Sequence, residues 1–423
     1  MLQVSYINEN KEAVIRGLQK KRFKDAESVV SEVIRLDHKR RDTQHELDGV
    51  LAESNLKAKE IGQLMKEGKK EEAEALKSKT AELKNKSKEL GDFLVVAEQQ
   101  LTNLLLTIPN MPYADVPEGK GAEDNVEVYK HDVKLEIPVD ALPHWDLIKK
   151  YNIIDFELGN KISGAGFPVY KDKGARLQRA LINFFLDEAV KAGYEEIQPP
   201  ILINEASGYG TGQLPDKDGQ MYYANEDKLY LIPTAEVPIT NIYRDVILKK
   251  EELPIKNAGY TPCFRREAGS WGADVRGLNR LHQFDKVEIV QINLPENSYK
   301  ALEEMRGHVQ QLLEKLNLPF RILKLCGGDM SFTSAFTYDF EVYSAAQKRW
   351  LEVSSVSNFE SYQANRLKLR YKAEGKTHLL HTLNGSALAL PRIVAAILEN
   401  NQDSSGIKIP EILVPYAGFD KIL

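Results

Sequence analysis

From Glu71 to Leu106 the chain runs without a proline or a turn cluster, and one residue set recurs at steps of four and three. It is Leu76, Thr80, Leu83, Ser87, Leu90, Leu94, Ala97, Leu101 and Leu104. This is the a/d seam of a coiled coil, and a seam needs a partner. A looser version lies upstream in Val29, Val33, Leu36, Arg40, Thr43 and Leu47, then Val50/Leu51, Ile61 and Leu64. Gly62 and Gly68 flank Met65-Lys66-Glu67, which suits a tight reversal. Two antiparallel helices are therefore predicted, from about Val29 to Met65 and from about Glu71 to Leu106, each roughly 50 Å long. Such a hairpin is too long to lie along a compact domain and is expected to project. By itself it reads as a structural or dimerising coiled coil. Lys77, Lys79, Lys84, Lys86 and Lys88 add a basic run near its tip, either a track for phosphates or a solvated face.

Residues 1–25 read as short helices packing at the base of the hairpin. Ile108-Pro109-Asn110-Met111-Pro112 ends the second helix, and a Pro/Gly/acid-rich stretch follows to Asp124. The expected division is an arm over 1–108, a linker over 109–124 and a second domain over 125–423. Net charge is -5, yet the arm is dense in balanced charge while the remainder is richer in Gly, Pro and aromatics, so global charge decides nothing about nucleic acid. Cys263 and Cys326 are far apart and lack a CxxC partner. A disulfide framework or a cysteine zinc site is disfavoured, no zinc is expected, and two small buried thiols in a reducing compartment are. Met1 to Gly17 has no apolar signal core, and Ala387 to Leu398 is too short to span a bilayer and is broken by Pro391 and Arg392. A cytoplasmic protein without a membrane partner is the default expectation.

Beyond Asn125 the period shortens. Strand-like runs (Glu195–Ile203, Lys228–Ile232, Ala258–Arg266, Leu281–Ile292, Phe336–Tyr343, Trp350–Ser355) outnumber the helical ones (Ala175 to Ala192, Ser298 to Leu316, Ile393 to Asn400). Many strands with few βαβ units predict an α+β domain, an antiparallel sheet flanked by helices. Neither a Walker A sequence nor a GxGxxG fingerprint is present, which disfavours P-loop and Rossmann nucleotide sites. In Phe264-Arg265-Arg266-Glu267, strand alternation would put Arg265 and Glu267 on one face; alone they read as a surface pair. In Phe284-Asp285-Lys286-Val287-Glu288-Ile289, Phe284, Lys286 and Glu288 share a face while Val287 and Ile289 point to the core. An aromatic, a cation and an acid on one face build a polar pocket better than a core. Lys286 is also readable as a structural ion-pair partner, and Ser386 as a helix cap. Gly269 to Gly277, with Trp271 and Arg276, reads as a loop able to close over a ligand.

These residues resemble the class II aminoacyl-tRNA synthetases and, within them, the bacterial-type seryl-tRNA synthetases. The resemblance spans essentially the whole chain, hairpin included. Gly193-Tyr194 through Pro199-Pro200 looks like motif 1, Phe264 through Glu288 like motif 2, and Gly385 through Arg392 like motif 3. The phrases GYGTGQLP (Gly208–Pro215), LIPTAEVP (Leu231–Pro238) and HTLNGSALA (His381–Ala389) are particular to the serine enzymes. Three positions depart from the pattern: Phe336 and Leu351 stand near where lysine and arginine are common, and Val356 replaces a frequent cysteine.

The resemblance implies activation of L-serine by ATP and transfer to tRNA(Ser), with tRNA(Sec) a further substrate. It implies a homodimer through motif 1. Arg265 would hold the α-phosphate and the serine carboxylate, Glu267 the adenine amino group, and Phe284 the adenine ring. Arg392 would bind the γ-phosphate with help from Arg280, and Arg266, Val353 and Ser354 would also line the ATP site. Glu352 and Ser355 would offer oxygen ligands to Mg²⁺ accompanying ATP, making Arg265, Glu352 and Arg392 the catalytic set. Thr234, Ala235 and Glu236 would orient serine, Glu236 facing its ammonium group, while Glu288 and Ser386 reach its hydroxyl. After Arg392 about thirty residues remain, too few for a separate anticodon domain, so the arm, through Lys77, Lys79, Lys84 and Lys86, is the implied tRNA grip. Two rivals are a ligase that loads a carrier protein and a non-catalytic coiled-coil protein with a degenerate synthetase domain.

Overall fold

A computed structural model describes residues 1–267 and 276–423 and resolves two compact units, residues 1–19 with 23–109 and residues 20–22 with 110–423. In the first, α1 (Val4–Glu9) and α2 (Lys11–Lys20) precede two long helices, α3 (Ala26–Lys66) and α4 (Lys70–Leu105). With 41 and 36 residues these extend roughly 60 and 54 Å. The α4 seam lies where the heptads put it: Thr80, Leu83, Ala97 and Leu101 are buried, and Leu76, Ser87, Leu90, Leu94 and Leu104 half-buried. On α3 it runs through Val33, Leu36, Thr43 and Val50, while Leu51 is 44% exposed. Beyond Val50 the seam passes half-buried Ser54 and Lys57 before Ile61 and Leu64. The sequence reading places Gly62 at the reversal, but it sits inside α3. Glu67 ends the helix and Gly68, at φ 78°, makes the turn that a glycine tolerates best. Asp37 accepts from Asn8 Nδ2 at 2.9 Å and pairs with Arg40 and Arg41, tying α1 to α3.

The basic run on α4 divides. Lys77 pairs with Glu74 at 2.7 Å and Lys86 with Glu46 on α3 at 2.8 Å. Lys79 and Lys84 are exposed without a carboxylate partner among the described residues.

The second unit is built on an eight-stranded sheet. Its strands are β1 (Val126–His131), β2 (Glu195–Glu196), β3 (Ile255–Phe264), β4 (Gln283–Asn293), β5 (Phe320–Lys324), β6 (Phe336–Ser344), β7 (Arg349–Asn358) and β8 (His381–Ala389), in the order β1-β5-β6-β7-β8-β4-β3-β2. The β2–β3 pair is parallel and the others antiparallel. Helices α5 (His144–Lys150), α6 (Asp172–Lys191), α7 (Glu236–Asn241), α8 (Ser298–Lys315), α9 (Ser361–Leu367) and α10 (Leu390–Asn400) accompany it. Phe184 and Phe185 of α6, Leu312 of α8 and Ile397 of α10 share one core with Val287, Ile289, Phe320 and Phe340 of the sheet. This is the α+β architecture that the period change predicts.

Local differences have local causes. The run Glu195–Ile203 is not one strand: Leu202–Ile203 pairs with Tyr230–Leu231 in a separate sheet, because Pro199 and Pro200 interrupt the N–H ladder. β3 ends at Phe264, so alternation does not govern Arg265 to Glu267. β8 is buried on both faces and shows no alternation in sequence, which hid it. The departures Phe336, Leu351 and Val356 are all buried. Phe336 meets Tyr338 edge-on at 5.0 Å, and Val356 lies so close to Gly385 that a Cβ there would approach its Cγ2 to 2.9 Å. Cys263 and Cys326 are free and buried. Of the predicted closing loop, residues 268–275 lie outside the described residues; Arg276 rests 4.6 Å from the Trp145 ring centroid. No helix among the described residues is long and apolar enough to cross a membrane.

Candidate active site

Strand β4, between β8 and β3 in the sheet, supplies the floor of a polar pocket. Its inner face holds Lys286 and Glu288 as a buried ion pair. Thr234, at the turn before α7, accepts from Lys286 Nζ at 2.8 Å and donates to Glu288 Oε2 at 3.1 Å. The Thr234 hydroxyl also accepts from the Glu236 backbone N–H at 3.2 Å, which fixes the start of α7. Lys286 is thus an ion-pair partner, as one sequence reading had it, and it stands within the pocket. Ser386 lies opposite Glu288 in the β4–β8 register. It sits within a strand and Ala389 holds the N-cap position of α10, so the helix-cap reading of Ser386 is set aside.

Glu236 is the most perturbed group of this pocket. Burial and the nearby Glu288 push its carboxyl up to about 7, against hydrogen bonds from Gln363 and Asn384 and the charge of Lys286. Gln363 Nε2 donates to Glu236 Oε1 at 2.7 Å, and its carbonyl accepts from Thr382 Oγ1 at 2.7 Å, so the amide has one orientation. A buried acid facing a second acid is short of positive charge. A substrate ammonium would supply it.

Beside this pocket stands a cluster of guanidinium groups. Arg265 donates from Nε to the Pro233 carbonyl at 3.3 Å and lies 5.2 Å over the ring of Phe284. Arg280 is ion-paired with Glu267, which has the unusual φ of 50°. Arg392, in the first turn of α10, donates from Nε to the Asn279 carbonyl at 3.0 Å and from Nη1 to the Glu352 carbonyl at 2.6 Å. Burial lowers its pKa, and Arg265 and Arg280 facing it add to that, while Glu352 and Glu267 oppose it. Three cations held together against their repulsion make a polyanion site.

Glu352 on β7 is exposed, and Ser355 Oγ lies 3.4 Å from its Oε1. Ser355 donates to Asp339 of β6 at 2.5 Å, and burial together with Glu352 pushes the Asp339 carboxyl well up. These are hard oxygen donors of the kind Mg²⁺ takes alongside nucleotide phosphates. Among the described residues no group of three or more His, Cys, Asp or Glu could hold a metal by itself. Val353 packs into the core, and Ser354 donates to the Ser386 carbonyl at 2.6 Å. Arg266 is exposed, with its backbone N–H on the Gln220 carbonyl, and joins none of these clusters.

Sequence reasoning missed Asp339, Gln363 and Asn384. Asp339 becomes visible only through the β6–β7 register, which pairs it with Ser355. Asn384 stood within a quoted phrase without a role, and Gln363 lies on α9 with no local signal.

Residues 220–401 match the family described as tRNA synthetase class II core domain (G, H, P, S and T), and residues 1–112 match the Seryl-tRNA synthetase N-terminal domain. The second unit thus carries the core domain of a class II aminoacyl-tRNA synthetase, a ligase. Among the relatives, the serine–tRNA ligase of Salinibacter ruber is 51% identical over 93% of both chains, and that of Akkermansia muciniphila 46% identical over 100% of this chain and 99% of the other. The seryl-tRNA synthetase of Pyrococcus horikoshii, solved with ATP, superposes with a TM-score of 0.93 at 31% identity, covering 100% of this chain and 99% of that one. The chain belongs to the seryl-tRNA synthetase family.

Proposed function

We propose that the chain activates L-serine with ATP and transfers it to tRNA(Ser), with tRNA(Sec) as a second acceptor. The observation that carries this is the adjacency of two unlike sites on one sheet face. One is the Thr234, Glu236, Lys286 and Glu288 pocket, suited to an ammonium and a hydroxyl. The other is the Arg265, Arg280 and Arg392 cluster, suited to phosphates. Serine enters with its ammonium at Glu236 and its hydroxyl near Glu288 and Ser386; Ala235 walls the pocket. Arg265 holds its carboxylate against the α-phosphate, Phe284 stacks on adenine and Glu267 accepts from the adenine amino group. Glu352 and Ser355 would hold Mg²⁺, which neutralises phosphate charge when bound.

The serine carboxylate oxygen attacks the α-phosphorus in line, the bond to the bridging oxygen breaks, and pyrophosphate leaves. A terminal ribose hydroxyl of tRNA then attacks the acyl carbon, the acyl–phosphate bond breaks, and AMP leaves with the hydroxyl's proton taken up by its phosphate. An ionised carboxylate needs no general base, so this chain's residues position and neutralise. Alanine is rejected because it forfeits the hydrogen bonds a serine hydroxyl makes with Glu288 and Ser386, while threonine meets only the weaker barrier of an extra methyl. The arm would hold the tRNA body, and a homodimer through the motif 1 segment in the cytoplasm is part of the same proposal.

Serine-dependent ATP–pyrophosphate exchange tests the first step, and charging of tRNA(Ser) and tRNA(Sec) transcripts tests the second. Arg265→Ala should abolish exchange while leaving the fold intact, because it removes a charge-assisted contact to the reacting phosphate. Near-normal exchange in a folded Arg265→Ala protein would sink the assignment.

A further inference from the structure

Arg392 is held by the Asn279 carbonyl, and what holds Asn279 lies away from the pocket. Asn279 belongs to a short turn, Gly277–Asn279, that runs directly into Arg280. The Leu278 N–H donates to Nε2 of His144, the first residue of α5, at 2.8 Å. Nδ1 of the same ring lies 2.7 Å from Oε1 of Glu399, near the end of α10, and the His144 backbone N–H donates to that oxygen at 3.0 Å. Both side chains are 0% exposed. Gln347 Nε2 donates to Glu399 at 3.0 Å, and its carbonyl accepts from Asn279 Nδ2 at 3.0 Å. Ser344 fills the other Glu399 oxygen.

The connections close a ring. α10 carries Arg392 in its first turn and Glu399 near its last; Arg392 reaches the turn directly and Glu399 reaches it through His144 and Gln347. With Leu278 donating into Nε2, the proton must sit on Nδ1 and point to Glu399, so the carboxylate selects the tautomer. Burial alone would be served as well by two apolar side chains of similar volume. Those would lack an acceptor for the Leu278 N–H. Contact is close: Gly277 has φ 63°, and a Cβ there would stand 2.3 Å from His144 Nε2.

We propose that His144 and Glu399 are positioning residues of the ATP site, which set the Gly277–Arg280 turn so that the Asn279 carbonyl aims Arg392 and Arg280 is presented to the phosphates. The inference rests on the proposed role of those arginines in ATP binding. The proposed serine contacts are Thr234, Glu236, Glu288, Ser386 and Arg265, and none of them hydrogen-bonds to His144, Glu399, Gln347 or Asn279, so loss of this network should be felt by ATP and pyrophosphate and not by serine.

The test is a KM split in the exchange reaction, with thermal unfolding as the check on folding. His144→Leu should raise the ATP KM on the order of tenfold to a hundredfold, the scale expected for a displaced binding group, with the serine KM within about twofold. His144→Gln puts an amide oxygen where Nε2 stood and should recover most of the loss. His144→Asn keeps only the donor towards Glu399 and should not. Should His144→Leu fail to fold, Gly277→Ala presses on the same contact from the turn, keeps both side chains of the buried pair and should give the same ATP-selective defect. Calorimetric titration with ATP reads the shift without turnover, so wild-type protein that binds ATP but shows no serine-dependent exchange would overturn the serine reading and leave this one standing. Equal changes in both KM values, an unchanged ATP KM, or rescue by Asn and not by Gln would each overturn the positioning role.

Discussion

Glu236 carries a pH dependence whose sign follows from its surroundings. Buried beside Glu288, and helped only in part by Gln363, Asn384 and Lys286, its carboxyl is held up at about 7 in the ligand-free protein. The folded pKa is raised, so the neutral acid is the favoured native form, and stability falls as pH rises from the unfolded value towards 7. An arriving ammonium reverses this preference. Serine binding should therefore release a proton below about pH 7, and kcat/KM for serine should climb with pH and level off above it. Glu236→Gln should flatten that climb while weakening serine use. The same substitution should stabilise the ligand-free protein at about pH 8, with the gain shrinking towards about pH 4.5. Thermal unfolding of both proteins across pH measures it, and a gain that grows towards acid would contradict the assignment.

At the scale of the element, β4 gathers a floor that neighbouring strands then complete. Glu288→Ala removes one partner of a buried ion pair and leaves Lys286 uncompensated, which costs about 3–5 kcal/mol where it has been measured. Glu288→Gln keeps a hydrogen-bonding group and should separate stability from function: near-normal folding, a large rise in serine KM, and little change for ATP. A defect confined to ATP would give Glu288 another job. The alternation of Phe284, Lys286 and Glu288 was legible from sequence because a strand with one polar face keeps a period of two. Arg265 and Glu267 were legible as residues and misread as strand, since β3 stops at Phe264 and Glu267 adopts a positive φ. Asp339, Gln363 and His144 were not legible at all. Each acquires its role through a contact distant in sequence, with Ser355, Glu236 and Glu399 respectively, and no local period records such a contact.

The proposed division of labour between the two compact units can be cut. Val30 and Leu104 lie on the two helices of one hairpin, and every residue proposed for the serine and ATP sites lies after Asn125. Deleting residues from Val30 to Leu104 and joining the ends with a short flexible linker should leave serine-dependent exchange largely intact. Charging of tRNA should fall steeply, because no other sizeable module remains to hold the tRNA body. If the shortened protein charged tRNA as well as the full chain, the hairpin would revert to a structural coiled coil.

The seam of that hairpin is not uniform along its length. Val50 is the last buried seam residue on α3, and Ser54 and Lys57 take apolar places beyond it. Opening the distal part of the pair exposes little oil to water, so its amides should exchange with solvent deuterium well before those of residues 26–50. Uniform protection along both helices would argue otherwise. A lever with a firm root and a loosely zipped end can bend to the curvature of what it touches, and it can let go from the tip inwards without disturbing the root.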